Sequence, residues 1–269
     1  MTEATAFHEA VFSLLRDVSQ NIILPHYQSL TSDQIDEKSP DDLVTVADCL
    51  AEERLAEGLA RIIPGVPIVG EEAAHADPSV LDRLSGDCWI VDPIDGTNNF
   101  AHGRPPFGIL IALASGGAAL SGWIYDPLTD RLCSAHFGNG AFINGKRIYT
   151  RISGADLPVA AISTQYMDPD KRQAVMDHIA PHYSLVDIPR CAAEQYPRLA
   201  LGTNDVSIFE RTLPWDHAAG VLWLNEAGGK AARLDGSPYR VDEHGRTGLI
   251  GAATPELFEE LAVRLDGMP

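Results

Sequence analysis

The sequence predicts a protein of the α/β (α+β) class, with an N-terminal α+β half over residues 1–150 and a C-terminal α/β half over residues 151–269. Two observations predict this division. Between Phe107 and Ile148, apolar runs are joined by short glycine turns, which is typical of hairpins. After residue 150, strand-like runs alternate with helical segments, as they do in α/β sheets.

Two helices are predicted near the amino terminus. Apolar residues recur at helical spacing from Phe7 to Ile22, so a first amphipathic helix should end near Pro25. A second predicted helix runs from Thr45 to Ile63. The polar, proline-containing segment 31–42 between them is predicted to be a mobile surface loop.

Two apolar runs, "IVGEEAA" (68–74) and "CWIVDPIDGT" (88–97), are predicted to be buried strands that end in acidic residues. The carboxyl ends of strands are where α/β sheets tend to bind ligands. Near the other end of the chain, "PWDHAAGVLWLNEAGG" (214–229) predicts a helix with Asp216 close to its start.

Composition and charge exclude several functional classes. The chain has 38 acidic and 20 basic side chains, and a formal charge of −18 repels nucleic acid and anionic membrane surfaces. No uninterrupted apolar window approaches the ~18 residues that a membrane-spanning helix needs. The four cysteines have no metal-binding or disulfide-rich spacing, and the first residues lack a secretory signal, so we expect free thiols and a cytoplasmic protein.

Four acidic residues, Glu71, Asp92, Asp95 and Asp216, fall where a predicted strand or helix meets a turn. Any one of them alone is more simply explained as a turn former or a helix cap. Together they offer the hard oxygen ligands that Mg²⁺ prefers. In "DPID", Pro93 fixes its own φ, and we expect a direction-reversing turn that aims both aspartates at one point.

The residues that follow extend this site. The carbonyl of Ile94 is expected to face the same point as the two aspartates. Gly96 and Thr97 then begin a helix-like turn whose backbone N–H groups suit an anion such as phosphate.

These motifs together resemble the inositol monophosphatase family of Mg²⁺-dependent, lithium-sensitive phosphatases. The resemblance extends over most of the chain and implies a layered αβαβα fold of the sugar-phosphatase type, commonly assembled as a homodimer. The matching segments are "WIVDPIDGTNNFAHG", "PWDHAAGVLWLNEAGG", "DDLVTVAD", "GEE" and "GAFINGK".

The resemblance also implies roles for individual residues. Two or three Mg²⁺ ions, or Mn²⁺ in their place, would be held by Glu71, Asp92, the Ile94 carbonyl, Asp95 and Asp216. Of these, Asp92 would bridge two ions, so that its loss should abolish turnover, and Asp95 and Asp216 would also lie against the substrate.

The resemblance further implies how water and phosphate are held. Thr97 and Glu71 would orient the attacking water, and Asp48 would hold Thr97 by a hydrogen bond. The Gly96 and Thr97 amides would bind the phosphate. Lys38 would lie close to the metals and the phosphate, although an exposed loop lysine is the alternative explanation.

The chain departs from the family pattern where substrate choice is made. In "RCAAEQY" (190–196), Arg190 replaces a common glycine and Cys191 replaces a common hydroxyl residue. Arg190 could bind a second anionic group of the substrate, and a surface salt bridge is the alternative. Glu210, a candidate contact for a substrate hydroxyl, stands one residue nearer Trp215 than we expect.

The predicted function is that of a Mg²⁺-dependent phosphomonoesterase acting on a small soluble ester such as inositol 1-phosphate. Histidinol phosphate, fructose 1,6-bisphosphate and 3′-phosphoadenosine nucleotides are alternative substrates. From another class, the chain could be a non-catalytic regulatory partner, but such a protein should have lost a metal carboxylate, and none is missing. His102 and His217, next to the two signatures, are interpreted as packing groups rather than ligands.

Overall fold

The structure is a computed structural model that describes residues 3–39 and 42–268. Within these residues the strands form a two-stranded ribbon, a seven-stranded sheet and a five-stranded sheet. The strands are β1 (Ile35–Ser39), β2 (Asp42–Thr45), β3 (Ile68–Gly70), β4 (Cys88–Asp95), β5 (Gly108–Ser115), β6 (Ala118–Asp126), β7 (Arg131–His136), β8 (Ala141–Ile143), β9 (Lys146–Ile148), β10 (Val159–Ile162), β11 (Ser184–Leu185), β12 (Val206–Phe209), β13 (Lys230–Ala232) and β14 (Leu249–Ala252).

The helices of the described residues pack on and between these sheets. They are α1 (Glu3–Val18), α2 (Leu24–His26), α3 (Val46–Ile62), α4 (Glu71–Ala76), α5 (Thr97–Ala101), α6 (Pro169–His178), α7 (Ala192–Ala200), α8 (Pro214–Glu226) and α9 (Pro255–Asp266). A π-helical stretch, Ser19–Ile23, joins α1 to α2, and short 3₁₀ helices cover Ser32–Gln34, Pro78–Ser85 and Ala180–His182.

Three apolar clusters arrange these elements into five layers. Because side chains alternate along a strand, Trp89 and Val91 of β4 face α1 and α3, whereas Ile90 faces α7 and α8. The central helices α7 and α8 also pack on one face of the five-stranded sheet. Helices α6 and α9 cover its other face. The order is therefore α, β, α, β, α, which confirms the predicted layered fold.

The predicted hairpins and the two predicted amino-terminal helices are present. The prediction of a mobile surface loop over residues 31–42 is wrong. Over 35–39 and 42–45 the chain forms the antiparallel ribbon β1–β2, in which Asp36 pairs with Val44. Residues 40 and 41 lie outside the described part of the chain. These strands can consist of polar residues because backbone hydrogen bonds between the two segments stabilise them. They do not depend on burying an apolar face.

The seven-stranded sheet comes from residues 68–148 and the five-stranded sheet from residues 159–252. Helices α7 and α8 contribute to the core against both sheets. The division into 1–150 and 151–269 as separate units stays a prediction. None of the helices described is both long enough and apolar enough to cross a bilayer.

Candidate active site

A cavity opens where the ends of β3 and β4 meet the first turn of α8. Strands β3 and β4 are parallel neighbours, so their carboxyl ends reach the same edge of the sheet. Glu71, Asp92, Asp95 and Asp216 all line this cavity. The four acids predicted from separate parts of the sequence therefore share one site.

The "DPID" segment is a bulged strand, so the predicted reversing turn is wrong. Strand β4 continues to Asp95, with Asp92 opposite Leu110 and Asp95 opposite Gly108. Residues three apart in a regular strand point to opposite faces, but one extra residue in a bulge restores the same face. The bulge, stabilised by a 3.1 Å hydrogen bond from the Ile94 N–H to Asp92 Oδ1, thus brings both carboxylates into the cavity.

Asp216 completes a compact group of carboxylates. It lies in the first turn of α8, where Pro214 occupies the start of the helix. Carboxylate oxygens of Asp92, Asp95 and Asp216 all lie within 4.8 Å of one another. Helix α8 is buried between the seven-stranded sheet and the five-stranded sheet. This packing holds Asp216 close to Asp92 and Asp95.

The carboxylates of this group repel one another when no cation lies between them. Burial and the neighbouring charges of Glu71, Asp95 and Asp216 raise the pKa of Asp92 well above its ordinary value. Burial raises the pKa of Asp216 to about 8, with Arg211 opposing the shift and Glu71 and Asp95 adding to it. A cation between these oxygens would relieve the repulsion and restore the charged forms.

Asp95 also fixes the central helix α7. Its Oδ2 atom accepts a 2.6 Å hydrogen bond from the Ala193 N–H in the first turn of α7. Burial raises the pKa of Asp95, and this N–H contact lowers it in part. Cys191, in the position of the expected hydroxyl, lies with its thiol 3.7 Å from the Asp95 carbonyl oxygen.

Glu71 lies beside the compact group rather than within it. Its Oε1 atom is 2.9 Å from Lys38 Nζ, which also lies 2.7 Å from Glu72 Oε1. The Lys38 side chain is only 5% exposed, so the explanation of an exposed loop lysine is wrong. Burial lowers the pKa of Lys38, but the two carboxylates outweigh burial and raise it. Burial and Glu71 raise the pKa of Glu72 to about 8.

The Thr97 hydroxyl links the bulge to α3. It lies 2.8 Å from the Ile94 carbonyl oxygen and 3.2 Å from Asp48 Oδ1, so the predicted contact with Asp48 is present. Asp48 is buried beside Thr45, which begins α3 as its N-cap. Burial raises the pKa of Asp48 to about 7, against the hydrogen bond from Thr45.

Two glycines near the site, Gly96 and Gly70, occupy positions where a larger side chain would collide with neighbouring atoms. Gly96 adopts φ 84°, and a Cβ there would meet the Pro106 carbonyl oxygen at 3.0 Å. Gly70 has an ordinary φ of −100°, but a Cβ would meet the Glu52 carboxylate at 2.3 Å. Glu52 reaches past Gly70 to accept the N–H groups of Glu72 and Ala73, each at 2.8 Å, at the start of α4.

The donor set fits divalent magnesium. In the described residues the compact group consists of the carboxylates of Asp92, Asp95 and Asp216, with no thiolate or imidazole among them. Hard oxygen donors of this kind suit Mg²⁺ or Mn²⁺. Burial first, and then the charges of neighbouring carboxylates, raise the pKa of Asp92 and of Asp216, and a bound cation would offset both causes.

The other end of the cavity departs from the sequence predictions. Arg190 lines the cavity but is exposed, with a left-handed backbone at φ 53°, and pairs with no acid of residues 3–39 and 42–268. The alternative of a surface salt bridge therefore has no acidic partner in this part of the chain, and the role of Arg190 stays a prediction. Glu210 is absent from the described lining, and its carboxylate lies 2.7 Å from Lys171 Nζ. The contact between Glu210 and the substrate stays a prediction, because in this structure the Glu210 carboxylate is paired with Lys171.

Arg211, the next residue, lines the cavity instead and was missed. Its guanidinium lies 4.3 Å from the centre of the Tyr166 ring and 3.3 Å from Asp42 Oδ2. A shift of one residue along an extended segment changes which side chain faces the cavity. The sequence did contain a signal for this difference. Glu210 stands one residue nearer Trp215 than the family pattern leads us to expect, so the residue facing the cavity could be shifted by one position.

His217 holds the backbone of this segment. Its Nδ1 atom is 2.8 Å from the Tyr196 hydroxyl, and its Nε2 atom is 3.1 Å from the Arg211 carbonyl oxygen. Burial lowers the pKa of His217 to about 3, so the ring is neutral. His102 bonds to the Asn98 carbonyl at 2.7 Å. Neither histidine belongs to the compact carboxylate group in the described residues.

A layered α/β fold with a pocket of clustered acids beside a bulged strand suits a hydrolase that acts on phosphate esters with the help of a bound cation. The sequence model of the Inositol monophosphatase family matches residues 5–266. The chain belongs to the inositol monophosphatase family.

Three similar proteins illustrate the relationship. The Inositol-1-monophosphatase of Bacillus subtilis (strain 168) is 32% identical over 243 residues, which cover 89% of each chain. The Fructose-1,6-bisphosphatase/inositol-1-monophosphatase of Aquifex aeolicus (strain VF5) is 28% identical, covering 82% of this chain and 83% of its own. The crystal structure of extragenic suppressor protein suhB from Bartonella henselae has a TM-score of 0.82 at 26% identity, covering 97% of this chain and 99% of that one.

Proposed function

We propose that this phosphoric monoester hydrolase is Mg²⁺-dependent and hydrolyses a small phosphate ester, with inositol 1-phosphate as a substrate. The observation that carries the proposal is the group of three carboxylates, from β4 and α8, whose oxygens lie within 4.8 Å of one another in the cavity. A regulatory protein without activity has no need to maintain this buried repulsion. Like-charge clusters of this kind are retained where they bind a cation.

Asp92, Asp95, Asp216, Glu71 and the Ile94 carbonyl are the proposed metal ligands. When bound, Mg²⁺ supplies positive charge that acidifies water and stabilises the oxygens of the phosphoryl group and the leaving alcohol. We propose two or three ions here: the four negative charges of the compact group and Glu71 balance two divalent ions, and the substrate phosphate would add the charge for a third. Mn²⁺ has the same ligand preference, and lithium sensitivity is a further property expected from the family.

The protein residues position the reactants. The Thr97 hydroxyl, fixed between Asp48 and the Ile94 carbonyl, and the Glu71 carboxylate orient the attacking water. Gly96 and Thr97 lie on the cavity wall, where their N–H groups bind the phosphate. Lys38 holds Glu71 in place and adds positive charge near the phosphate. Holding water and ester in register can contribute about 7–11 kcal/mol to lowering the barrier.

Alternative substrates remain within the same chemistry. The Aquifex aeolicus relative carries fructose-1,6-bisphosphatase in its name, which favours fructose 1,6-bisphosphate as a second candidate substrate. Two arginines of the cavity wall, Arg190, which the sequence predicted for this role, and Arg211, are candidates for contacting a second anionic group. Histidinol phosphate and 3′-phosphoadenosine nucleotides have no comparable support among the cavity residues.

The location and assembly are also proposals. All four cysteines are free thiols, three of them buried, which supports a cytoplasmic enzyme. A homodimer is expected from the family. Leu185 of the edge strand β11 and Val186, which follows the strand, are exposed at 46% and 40%. Light scattering of the purified protein would distinguish dimer from monomer.

The decisive experiment measures phosphate release from a panel of esters with Mg²⁺ and with EDTA. We expect hydrolysis of inositol 1-phosphate that requires Mg²⁺, returns when Mg²⁺ is restored, and is lost in Asp216→Asn. A protein that binds no Mg²⁺ and releases no phosphate from any ester of the panel would contradict the proposal.

A further inference from the structure

The cavity wall also carries a half-buried arginine, Arg211, whose charge opposes the rise in the pKa of Asp216. Arg211 lies two residues after β12 and three before α8, and its guanidinium is 33% exposed. The Arg190 guanidinium lines the same cavity nearer the solvent. Arg190 and Arg211 thus add positive charge to a cavity that is otherwise lined by the acidic residues Asp42, Glu71, Asp92, Asp95 and Asp216.

The position of Arg211 is fixed in advance. Its carbonyl oxygen is held by His217, which is itself held by Tyr196. Its guanidinium packs over the Tyr166 ring at 4.3 Å, a favourable cation–π arrangement. An arginine that is held in place before binding loses little conformational entropy when a ligand arrives.

Most of the hydrogen-bonding capacity of Arg211 is unused. A guanidinium has five N–H donors, and within residues 3–39 and 42–268 its single hydrogen bond is the one to Asp42 Oδ2 at 3.3 Å. Both partners are about a third exposed, at 33% and 28%. Pairs this long and this exposed are weak and easily exchanged. A carboxylate or phosphate can therefore replace Asp42 and accept two hydrogen bonds in its place.

We propose that Arg211 is the specificity-determining residue that selects phosphate esters whose leaving group carries a second anionic group, either a carboxylate or a phosphate. Asp42 is the internal counter-ion that occupies Arg211 when the leaving group is neutral. This inference rests on the proposed phosphatase function. It assigns to Arg211 the contact with a second anionic group that the sequence had predicted for Arg190.

The test compares substrates that differ in one group. Glycerol 1-phosphate and 3-phosphoglycerate differ by a hydroxymethyl group and a carboxylate, and fructose 1-phosphate and fructose 1,6-bisphosphate differ by a second phosphate. For each pair, kcat/KM is measured with Mg²⁺ in wild type, Arg211→Ala, Arg211→Lys, Arg190→Ala and Asp42→Asn. The first pair reports a carboxylate-selective site, and the second a phosphate-selective one.

Arg211→Ala should lower kcat/KM for the anionic member of at least one pair by about 10- to 100-fold more than for the neutral member, mainly through KM. Arg211→Lys should recover part of this preference, because it keeps the charge but not the two-pronged geometry. Asp42→Asn should increase the preference, since it removes the competing carboxylate. Arg190→Ala should change the ratio less, because its side chain is exposed.

Two outcomes would overturn the inference while leaving the phosphatase proposal intact. In the first outcome, Arg211→Ala lowers kcat/KM equally for both members of each substrate pair, which indicates that Arg211 has a structural role. The other is a ratio that depends on Arg190 and not on Arg211. If wild type hydrolyses none of these esters with Mg²⁺, both the proposed function and this inference fail.

Discussion

The two ends of the cavity are built from different parts of the backbone. At the acidic end, Asp92 and Asp95 stand on a bulged strand and Asp216 on the first turn of a buried helix. At the basic end, Arg190 and Arg211 stand on connecting segments outside helices and strands. The acidic side chains are positioned by hydrogen-bonded elements packed in the core. The basic side chains depend on fewer contacts, such as those of Arg211 with Asp42 and Tyr166, so this end can vary more readily than the acidic end.

The largest effect should come from the acidic end. Asp92→Asn removes the charge at the centre of the compact group, and we expect kcat to fall by about 10³-fold or more because the oxygens that hold the cations are no longer fully charged. Phosphate release from inositol 1-phosphate with Mg²⁺ measures this loss.

The same substitution should have the opposite effect on metal-free protein. Asp92→Asn relieves repulsion with Glu71, Asp95 and Asp216, so Tm in EDTA should equal or exceed that of wild type. A large drop in Tm together with lost activity would instead mean that Asp92 has a structural role. Full activity in Asp92→Asn would separate this end from the chemistry altogether.

A smaller effect is expected from Thr97. Thr97→Ala removes the hydroxyl that lies between Asp48 and the Ile94 carbonyl, and kcat should fall by about 10²-fold with little change in KM. Thr97→Ser keeps the hydroxyl and serves as the matched control. If Ser and Ala lose equal activity, the missing methyl group rather than the hydroxyl is responsible.

The acidic end should also control stability as a function of pH. In metal-free protein the folded pKa values of Asp216 and Glu72 are about 8 and that of Asp48 about 7, all above the unfolded values near 4. The folded state therefore binds more protons than the unfolded state, and its stability falls as pH rises. The pKa of His217 is lowered to about 3, so this residue makes stability rise with pH, but only below about pH 6.5.

Between about pH 6.5 and 8, Tm in EDTA should accordingly decrease, and Mg²⁺ should reduce the decrease. Thermal unfolding at several pH values, with and without Mg²⁺, measures both effects. Asp216→Asn provides the control, since it should flatten the EDTA curve. A Tm that rises across this range in EDTA would contradict the interpretation.

The smallest effect should come from Glu210. Its carboxylate pairs with Lys171 outside the described cavity lining, so Glu210→Gln should change kcat/KM by less than about twofold for every substrate. Lys171→Met removes the other partner of this ion pair, and it should likewise change kcat/KM by less than about twofold. A selective loss for polyol phosphates in Glu210→Gln alone would restore the substrate contact expected from the sequence.

The sequence predicted the acidic end well for physical reasons. Apolar runs identified the buried strands, and acids at their ends could be assigned to one sheet edge because neighbouring strands end together. The geometry between Asp92 and Asp95 was not predictable in the same way. A proline between two aspartates is compatible with a turn or with a bulge, and only pairing with β5 decides between them.

The basic end was predicted less well because its contacts are formed between distant segments. Arg211 meets Asp42 of β2 and Tyr166 of the segment before α6, and no local pattern links these three residues. The ribbon β1–β2 was missed for a similar reason. Its strands are polar, and their pairing replaces the periodic apolar signal that usually identifies a strand.

The close approach of the Glu52 carboxylate to Gly70 makes these two positions mutually dependent. Since the backbone of Gly70 would allow other residues, the requirement for glycine comes from the side chain above it. In homologues where the acid at position 52 is replaced by a short residue, position 70 should tolerate alanine. Anyone transplanting this catalytic centre onto another scaffold would need to carry both positions together.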